Sequence, residues 1–206
     1  LGAKMYAHTI FIEGRWSAVG ANLIEKFARL RYRRFVRELK WNLPLARDGI
    51  ELDQFDNDSA HYAIGVTSRG DVLAGIRLHS TAVPTLINTV YSGLISDGPP
   101  RSHCIWEGTR MVVDEFLVQR SGERTALRRL LGDVVEYGLG RGVQKFVSVS
   151  DPFLERVLRS VGAMPRRLGP VVEVQIQPRV VALALEMHCS LGSLARLRDV
   201  ALPMAA

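Results

Sequence analysis

The sequence predicts an α/β (α+β) protein: a three-layer α/β/α sandwich around a mixed, mostly antiparallel twisted sheet. Three observations predict it. Apolar periodicity switches repeatedly between two and 3.6 along the 206 residues. The elements so read follow the order β-α-ββ-β-α-β-α-β-β-α, which interleaves helices with strands. No internal repeat and no linker divides the chain, so residues 1–206 read as a single domain. Leu1-Gly-Ala-Lys4 reads as an extension ahead of a native start near Met5.

Each element has its own signal. Tyr6 to Glu13 reads as a strand. From Ala21 to about Glu38, Leu23, Ile24, Phe27 and Leu30 sit at helical spacing. Ile24, Phe27, Arg31 and Phe35 share one face of that helix, so Arg31 interrupts an apolar stripe. An arginine there either meets an anionic ligand or is tied to a carboxylate of the scaffold. Residues 42 to 60 read as a loop, with Pro44, Asp48-Gly49 and the acidic stretch Glu51-Leu-Asp-Gln-Phe-Asp-Asn-Asp58. Tyr62, Ile64 and Val66 alternate, Arg69-Gly-Asp71 turns, and Val72 to Leu78 returns, which is a hairpin.

A Pro-marked segment leads to a third strand, Ile105 to Val113. Glu123 to Leu139 is helical, with Leu127, Leu130, Leu131, Val134 and Val135 on one side. Gln144 to Ser150 is a strand, and Pro152 to Val161 a helix with Leu154, Val157, Leu158 and Val161 inward. Asp151 is its expected N-cap, because Pro152 suits a first helical position. Val171 to Gln177 and Val180 to Met187 are further strands, and Leu191 to Val200 is a terminal helix.

Composition narrows the function. Hydrophobic residues at 47% and charged residues at 23% exclude a disordered or low-complexity chain. No apolar run approaches the ~18 residues of a membrane helix. Cys104 and Cys189 make no disulfide framework, and His8, His61, His79, His103 and His188 lack metal-ligand spacing, so no metal is expected. No secretory layout opens the chain, and a reducing cytoplasm is the expected compartment. The net charge of +6 is almost all arginine, since the only lysines are Lys4, Lys26, Lys40 and Lys145. Arginine suits bidentate recognition of carboxylate and phosphate. No helix-turn-helix or aromatic-interleaved basic stripe points to nucleic acid.

Four pieces carry chemistry: Leu30-Arg-Tyr-Arg-Arg-Phe35 followed by Trp41; Glu51-Leu-Asp-Gln-Phe-Asp56; Gly75-Ile-Arg-Leu78 with Pro84-Thr-Leu86 and Tyr91 downstream; and Ile105-Trp-Glu-Gly-Thr-Arg110. In this order and spacing the chain resembles the acyl-homoserine-lactone synthases, the autoinducer synthases of bacterial quorum sensing, over roughly residues 23 to 165. Their fingerprint is Arg-x-x-x-Phe, Trp, Glu-x-Asp-x-Phe/Tyr-Asp, an Arg on a strand, Phe, and Glu-Ser/Gly-Ser/Thr-Arg. Arg31, Phe35, Trp41, Asp53, Asp56, Arg77, Glu107 and Arg110 match it, while Tyr91 stands in place of the Phe and Gly108 in place of the commoner Ser. The element order also resembles the N-acyltransferase architecture. The Gln/Arg-x-x-Gly-x-Gly/Ala turn of that fold is matched only in its first half by Gln119-Arg-Ser-Gly-Glu-Arg124.

The resemblance implies transfer of an acyl group from a thioester, carried by acyl carrier protein or coenzyme A, to the amine of S-adenosylmethionine. Lactonisation and release of methylthioadenosine follow. Both molecules are substrates, and no further cofactor is expected. Arg31, Phe35, Trp41, Asp53 and Asp56 would bind S-adenosylmethionine, and Glu107, Arg77 and Arg110 would form the catalytic group. Glu107 is either the base for the amine or a buried partner for Arg77 or Arg110. Met111, Phe146, Val147, Val149, Phe153 and Leu154 would line the acyl slot, with Val147 placed where some 3-oxo producers carry Thr. Between residues 120 and 170 ten basic residues face five acidic ones. Arg124, Arg128, Arg156, Arg159, Arg166 and Arg167 are the expected docking patch for an acidic carrier. A monomer is expected. Two other readings compete: an N-acyltransferase acting on a different amine, and a basic non-catalytic binding module.

Overall fold

The computed structural model describes residues 6–14, 20–117, 125–174 and 180–199. The fold is mixed α/β, with a mostly antiparallel, open sheet and helices beside it. The chain divides into two compact units. The first comprises Leu1–His79, Gly108–Ala126 and Glu173–Val180, and the second Ser80–Glu107, Leu127–Val172 and Val181–Ala206.

In the first unit, β1 (Tyr6–Glu13), β2 (His61–Thr67) and β3 (Val72–Ser80) form an antiparallel meander. Tyr62, Ile64 and Val66 of β2 point to one face, as their alternation predicts. Helix α1 (Ala21–Arg31) lays Ile24, Phe27 and Leu30 in the same buried cluster. Each such side chain contributes roughly 1.5–3 kcal/mol on burial. Gly75 in β3 makes the fit possible: a Cβ there would stand 2.6 Å from the Phe27 ring.

The helix then widens. Tyr32–Glu38 is a π-helix, continuous with α1. At its end the Leu39 N–H donates to Arg34 O at 3.0 Å and the Trp41 N–H to Phe35 O at 2.8 Å. Phe35 stays on the buried side, so the apolar stripe read from the sequence holds while the helix type changes.

Strand β4 (Ile105–Val113) runs through both units, Ile105–Glu107 falling in the second. There it pairs in parallel with β5 (Lys145–Ser150), and β5 pairs antiparallel with β8 (Val180–His188). Helix α3 (Ala126–Leu139) buries Leu130, Leu131, Val134 and Val135, the side predicted for it. Helix α4 (Pro152–Ser160) starts as expected: Pro152 takes the first turn and the Asp151 carboxylate accepts the Leu154 N–H at 2.6 Å. Of its expected inward residues Leu158 is buried, and Leu154, Val157 and Val161 are half-buried. The two-residue β6 (Arg166–Arg167) pairs with β8, β7 spans Val172–Val174, and α5 (Leu191–Arg198) closes the described chain.

Short elements escaped the sequence: α2 (Leu86–Thr89), a 3₁₀ turn at Ser92–Leu94, and β6. None is long enough to show a period. Among the described residues no helix is long and apolar enough to cross a membrane. Nor do three His, Cys, Asp or Glu side chains gather there to hold a metal ion.

Candidate active site

Four segments of the first unit bring charge inward. Arg31 ends α1 and is fully buried. The loop after the π-helix is tied to α1 by the Glu51 N–H, which donates to Ala28 O at 3.1 Å. It then folds on its own carboxylates: Asp53 Oδ1 accepts the Phe55 N–H and Asp56 Oδ2 the Asp53 N–H, both at 2.8 Å. Phe55 is buried and anchors the turn. Strand β3 supplies Arg77, fully buried, and β4 supplies Thr109 and Arg110. Arg110 has φ +56°, a left-handed backbone rare for arginine and costing about 1–3 kcal/mol.

These side chains close a ring. Arg31 Nε meets Glu51 Oε2 at 2.5 Å, and its Nη1 and Nη2 grip Asp56 at 2.8 and 3.0 Å. Arg77 Nη1 meets Asp56 Oδ2 at 2.8 Å. Arg77 also grips Asp53 at 2.6 and 3.1 Å, and its Nε donates to Thr109 Oγ1 at 3.1 Å. Arg110 Nη2 lies 2.9 Å from Asp53 Oδ2, and its Nε 3.0 Å from Glu51 Oε1. The circuit Arg31–Asp56–Arg77–Asp53–Arg110–Glu51 alternates in sign, returns to its start and carries no net charge. The Tyr62 hydroxyl donates to Asp56 Oδ1 at 3.0 Å.

Aromatic rings line the circuit. Each guanidinium faces one: Arg31 over Phe27 at 5.4 Å, Arg77 over Phe55 at 5.8 Å, Arg110 over Phe35 at 5.7 Å. Phe35 stacks on Trp41, with centroids 5.0 Å apart and planes 16° from parallel. Burial alone would raise the Asp56 carboxyl, but Arg31 and Arg77 outweigh it and hold it well below the usual range. Asp53 is held low in the same way by Arg77 and Arg110 against its burial. Arg31 is kept charged by Asp56 and Glu51 despite its burial. Burial, then the Asp56 carboxylate, pushes the Tyr62 phenol up. Two members are reached by solvent: the Arg110 side chain is 11% exposed and Asp53 10%.

Seven of the expected residues thus meet in one place: Arg31, Phe35, Trp41, Asp53, Asp56, Arg77 and Arg110. Glu51, Tyr62 and Thr109 join them unforeseen. Glu51 lay in an acidic run that composition reads as solvated, and its Glu-x-Asp spacing to Asp53 was the signal. Glu107, in the second unit, is buried, and its Oε1 accepts the Ile87 N–H at 2.9 Å.

The acyl-slot set needs correction. Phe146 and Val147 are neighbours in β5 and point to opposite faces. Phe146 lies against α3, where a Cβ on Gly138 would come 2.7 Å from its ring. Val147 and Val149 therefore share the other face. Phe153, expected inward, is 61% exposed, with the Arg156 guanidinium 5.9 Å from its ring. Met111, Val149 and Leu154 are half-buried and Val147 buried.

The docking arginines are mostly engaged. Arg159 Nη2 donates to Glu155 Oε1 and Pro165 O, and Arg167 holds Glu155 Oε2 at 2.7 and 2.9 Å. Arg166 and Lys145 share Glu186 at 3.0 and 3.1 Å. Glu155 and Glu186 are buried acids that the sequence did not single out. Arg128 donates to Leu197 O and Arg196 O at the end of α5. Arg124, with the Gln119–Arg124 turn, lies outside the described residues.

Known proteins resemble this chain over most of its length. Residues 17–197 match the family model described as autoinducer synthase. An acyl-homoserine-lactone synthase of Ralstonia solanacearum is 31% identical over 167 residues, 79% of this chain and 81% of that protein. One from Pseudomonas fluorescens is 28% identical over 174 residues, 84% of each chain. The solved structure of TofI in a ternary complex with an inhibitor and MTA superposes with a TM-score of 0.78. It is 28% identical and covers 95% of this chain and 98% of its own. BjaI, a CoA-dependent acyl-homoserine lactone synthase, shares the fold at TM-score 0.80 and 23% identity, covering 95% of this chain and 88% of its own. The chain belongs to the autoinducer synthase family, acyltransferases that make acyl-homoserine-lactone signals.

Proposed function

We propose a division of labour for the synthesis of an N-acyl-L-homoserine lactone from S-adenosylmethionine and an acyl thioester. Arg110 receives the substrate carboxylate and Asp53 its ammonium, because these two ring members are the ones partly open to solvent. Arg31, expected as the carboxylate clamp, is fully buried with its guanidinium on Glu51 and Asp56. In this reading it works by holding the ring. Arg77 does the same from β3. The stacked Phe35 and Trp41 shield the sulfonium and adenosine, a cation–π contribution of about 0.5–2 kcal/mol.

Glu107 takes a proton from the substrate ammonium, directly or through water. The freed amine nitrogen attacks the thioester carbonyl, the C–N bond forms and the donor thiol leaves. No enzyme nucleophile is needed, because a thioester is already activated. The substrate carboxylate oxygen then attacks the carbon bonded to sulfonium. The C–S bond breaks, the lactone closes and methylthioadenosine departs with the electron pair. The acyl chain lies along Val147, Val149 and Leu154 of the second unit.

The donor is anionic in either form, an acyl carrier protein or coenzyme A. Arg156, Arg159, Arg166 and Arg167 support that reading, with Glu155 and Glu186 holding three of them in fixed positions. The reading sets the enzyme in the cytoplasm, where both substrates are made, and takes it as a monomer.

The neutral ring with Arg110 and Asp53 at its open edge carries this reading. Purified protein with S-adenosylmethionine and a panel of acyl-carrier and acyl-CoA donors tests it by mass spectrometry. Acyl-homoserine lactone and methylthioadenosine are expected in equal amounts, and Arg110→Ala should raise KM for S-adenosylmethionine. An unchanged KM would remove Arg110 from the substrate contact.

A further inference from the structure

Helix α2 is four residues long, too short to hold its own geometry. Yet it supplies the hydrogen bond that orients Glu107. Ile87 is its second residue, and its N–H is among those a helix start leaves without a backbone acceptor. The Glu107 carboxylate takes that place at 2.9 Å, from a strand 20 residues further on.

What holds α2 is one buried amide, Asn88, 4% exposed. Its Oδ1 accepts the Thr85 N–H at 2.8 Å. Its Nδ2 donates to Thr81 O at 2.9 Å and to Val83 O at 3.0 Å. The turn it braces is itself fixed to the start of β4. The Thr81 N–H donates to Ile105 O at 2.9 Å. Thr81 Oγ1 donates to Ser102 O at 3.1 Å and accepts the Ser102 N–H at 3.0 Å. Constraint therefore runs from the head of β4 through Thr81 and Asn88 to α2, and back to β4 at Glu107. Serine is too short to make all three Asn88 bonds, and aspartate has an acceptor but no donors.

We propose that Asn88 is a positioning residue for acyl transfer, fixing α2 so that the Ile87 N–H holds the Glu107 carboxylate in one orientation. The proposal rests on the reading of Glu107 as the base. A backbone N–H favours the charged carboxylate, so losing it raises the proton affinity of Glu107. The acidic limb of the kcat/KM profile then moves to higher pH.

The test is steady-state kinetics of Asn88→Ala and Asn88→Ser, each alone and combined with Glu107→Gln. Asn88→Ala should lower kcat about tenfold or more, as misplaced catalytic groups do, with KM for S-adenosylmethionine nearly unchanged. The acidic limb should rise, and the kcat penalty should vanish in the Glu107→Gln background. Asn88→Ser, whose hydroxyl can keep part of the bonding without a charge, should fall between Ala and wild type, and it serves alone if Asn88→Ala does not fold. An equal penalty in both backgrounds, or a lower Tm with an unmoved acidic limb, would overturn the proposal and leave Glu107 as the base. Wild-type turnover in Glu107→Gln alone would instead sink the base reading. If Glu107→Gln is too slow to measure, the acidic limb of the single variants decides.

Discussion

Replacing Asp56 by Asn removes one charge and almost no volume. Asp56 bridges Arg31 and Arg77, whose side chains have no exposure at all. The single Asn oxygen can accept from the Tyr62 hydroxyl, bonded to Oδ1, or from the Asp53 N–H, bonded to Oδ2, so the change removes the charge and one of these two hydrogen bonds. The ring then carries one uncompensated positive charge away from water. Removing one partner of a buried ion pair costs about 3–5 kcal/mol. A typical folding free energy is about 5–15 kcal/mol, so the variant should fold with a thin margin. Urea unfolding at pH 7 reads this directly: with m of about 1–3 kcal/mol/M, the midpoint should fall by more than about 1 M at unchanged m. Asp53→Asn, at the open edge beside Arg110, should cost less, because water reaches its surroundings. The pH profile gives a second reading. A carboxyl whose folded pKa is depressed adds stability above its unfolded value of about 3.9, and that stability is lost as pH falls through the folded value. Asp56→Asn should therefore flatten the acid limb below about pH 4. A loss under about 1 kcal/mol, or a larger loss in Asp53→Asn, would refute the account of the ring as a buried, mutually dependent circuit.

Other expectations concern residues outside the charged ring. Gly75→Ala should cost about 1–3 kcal/mol, since the new methyl meets the fully buried Phe27 ring; an unchanged Tm would show that the ring can yield. His79 is buried beside the ring, and burial, with Arg77 adding to it, pushes its imidazole down to about 4. The unfolded chain then binds the extra proton between about pH 6.5 and 4, so stability is full above about 6.5 and falls below it. His79→Leu should remove that decline, worth up to about 3 kcal/mol, in unfolding curves taken across this range. Trp41→Ala, which unstacks Phe35, should raise KM for S-adenosylmethionine several-fold with little change in the donor's KM. Val147→Thr should alter the share of 3-oxo product read by mass spectrometry, and an identical profile would remove that position from selection of the third carbon.

Long, periodic segments were legible in the sequence. The β2–β3 hairpin, α1, α3, β5 and α4 all carry a period strong enough to fix their buried faces. Arg31 was legible for the same reason, as a charge on an apolar stripe. Its two readings, ligand clamp and scaffold pair, could not be separated without knowing which carboxylates come back to it. Glu51, Asp53 and Asp56 follow neither helical nor strand spacing, because their side chains are turned by bonds within the loop. Phe146 and Val147 were grouped by hydrophobicity when their adjacency in a strand already sends them apart. Glu155 and Glu186 stayed hidden because Arg167 and Arg166, their partners, lie 12 and 20 residues away.

The π-helix has a consequence in chain length. Its bonds span five residues where an α-helix spans four, so Tyr32–Glu38 holds a register that an ordinary helix would not reach. Wound as an ordinary α-helix, the same 7 residues would turn further by about one residue's rotation. Everything before it would then rotate by about 100° against Trp41. Arg31 or the Phe35–Trp41 stack would have to leave its place, although no residue that touches the ring had changed. The count of residues between Arg31 and Trp41 is thus a dimension of the site in its own right.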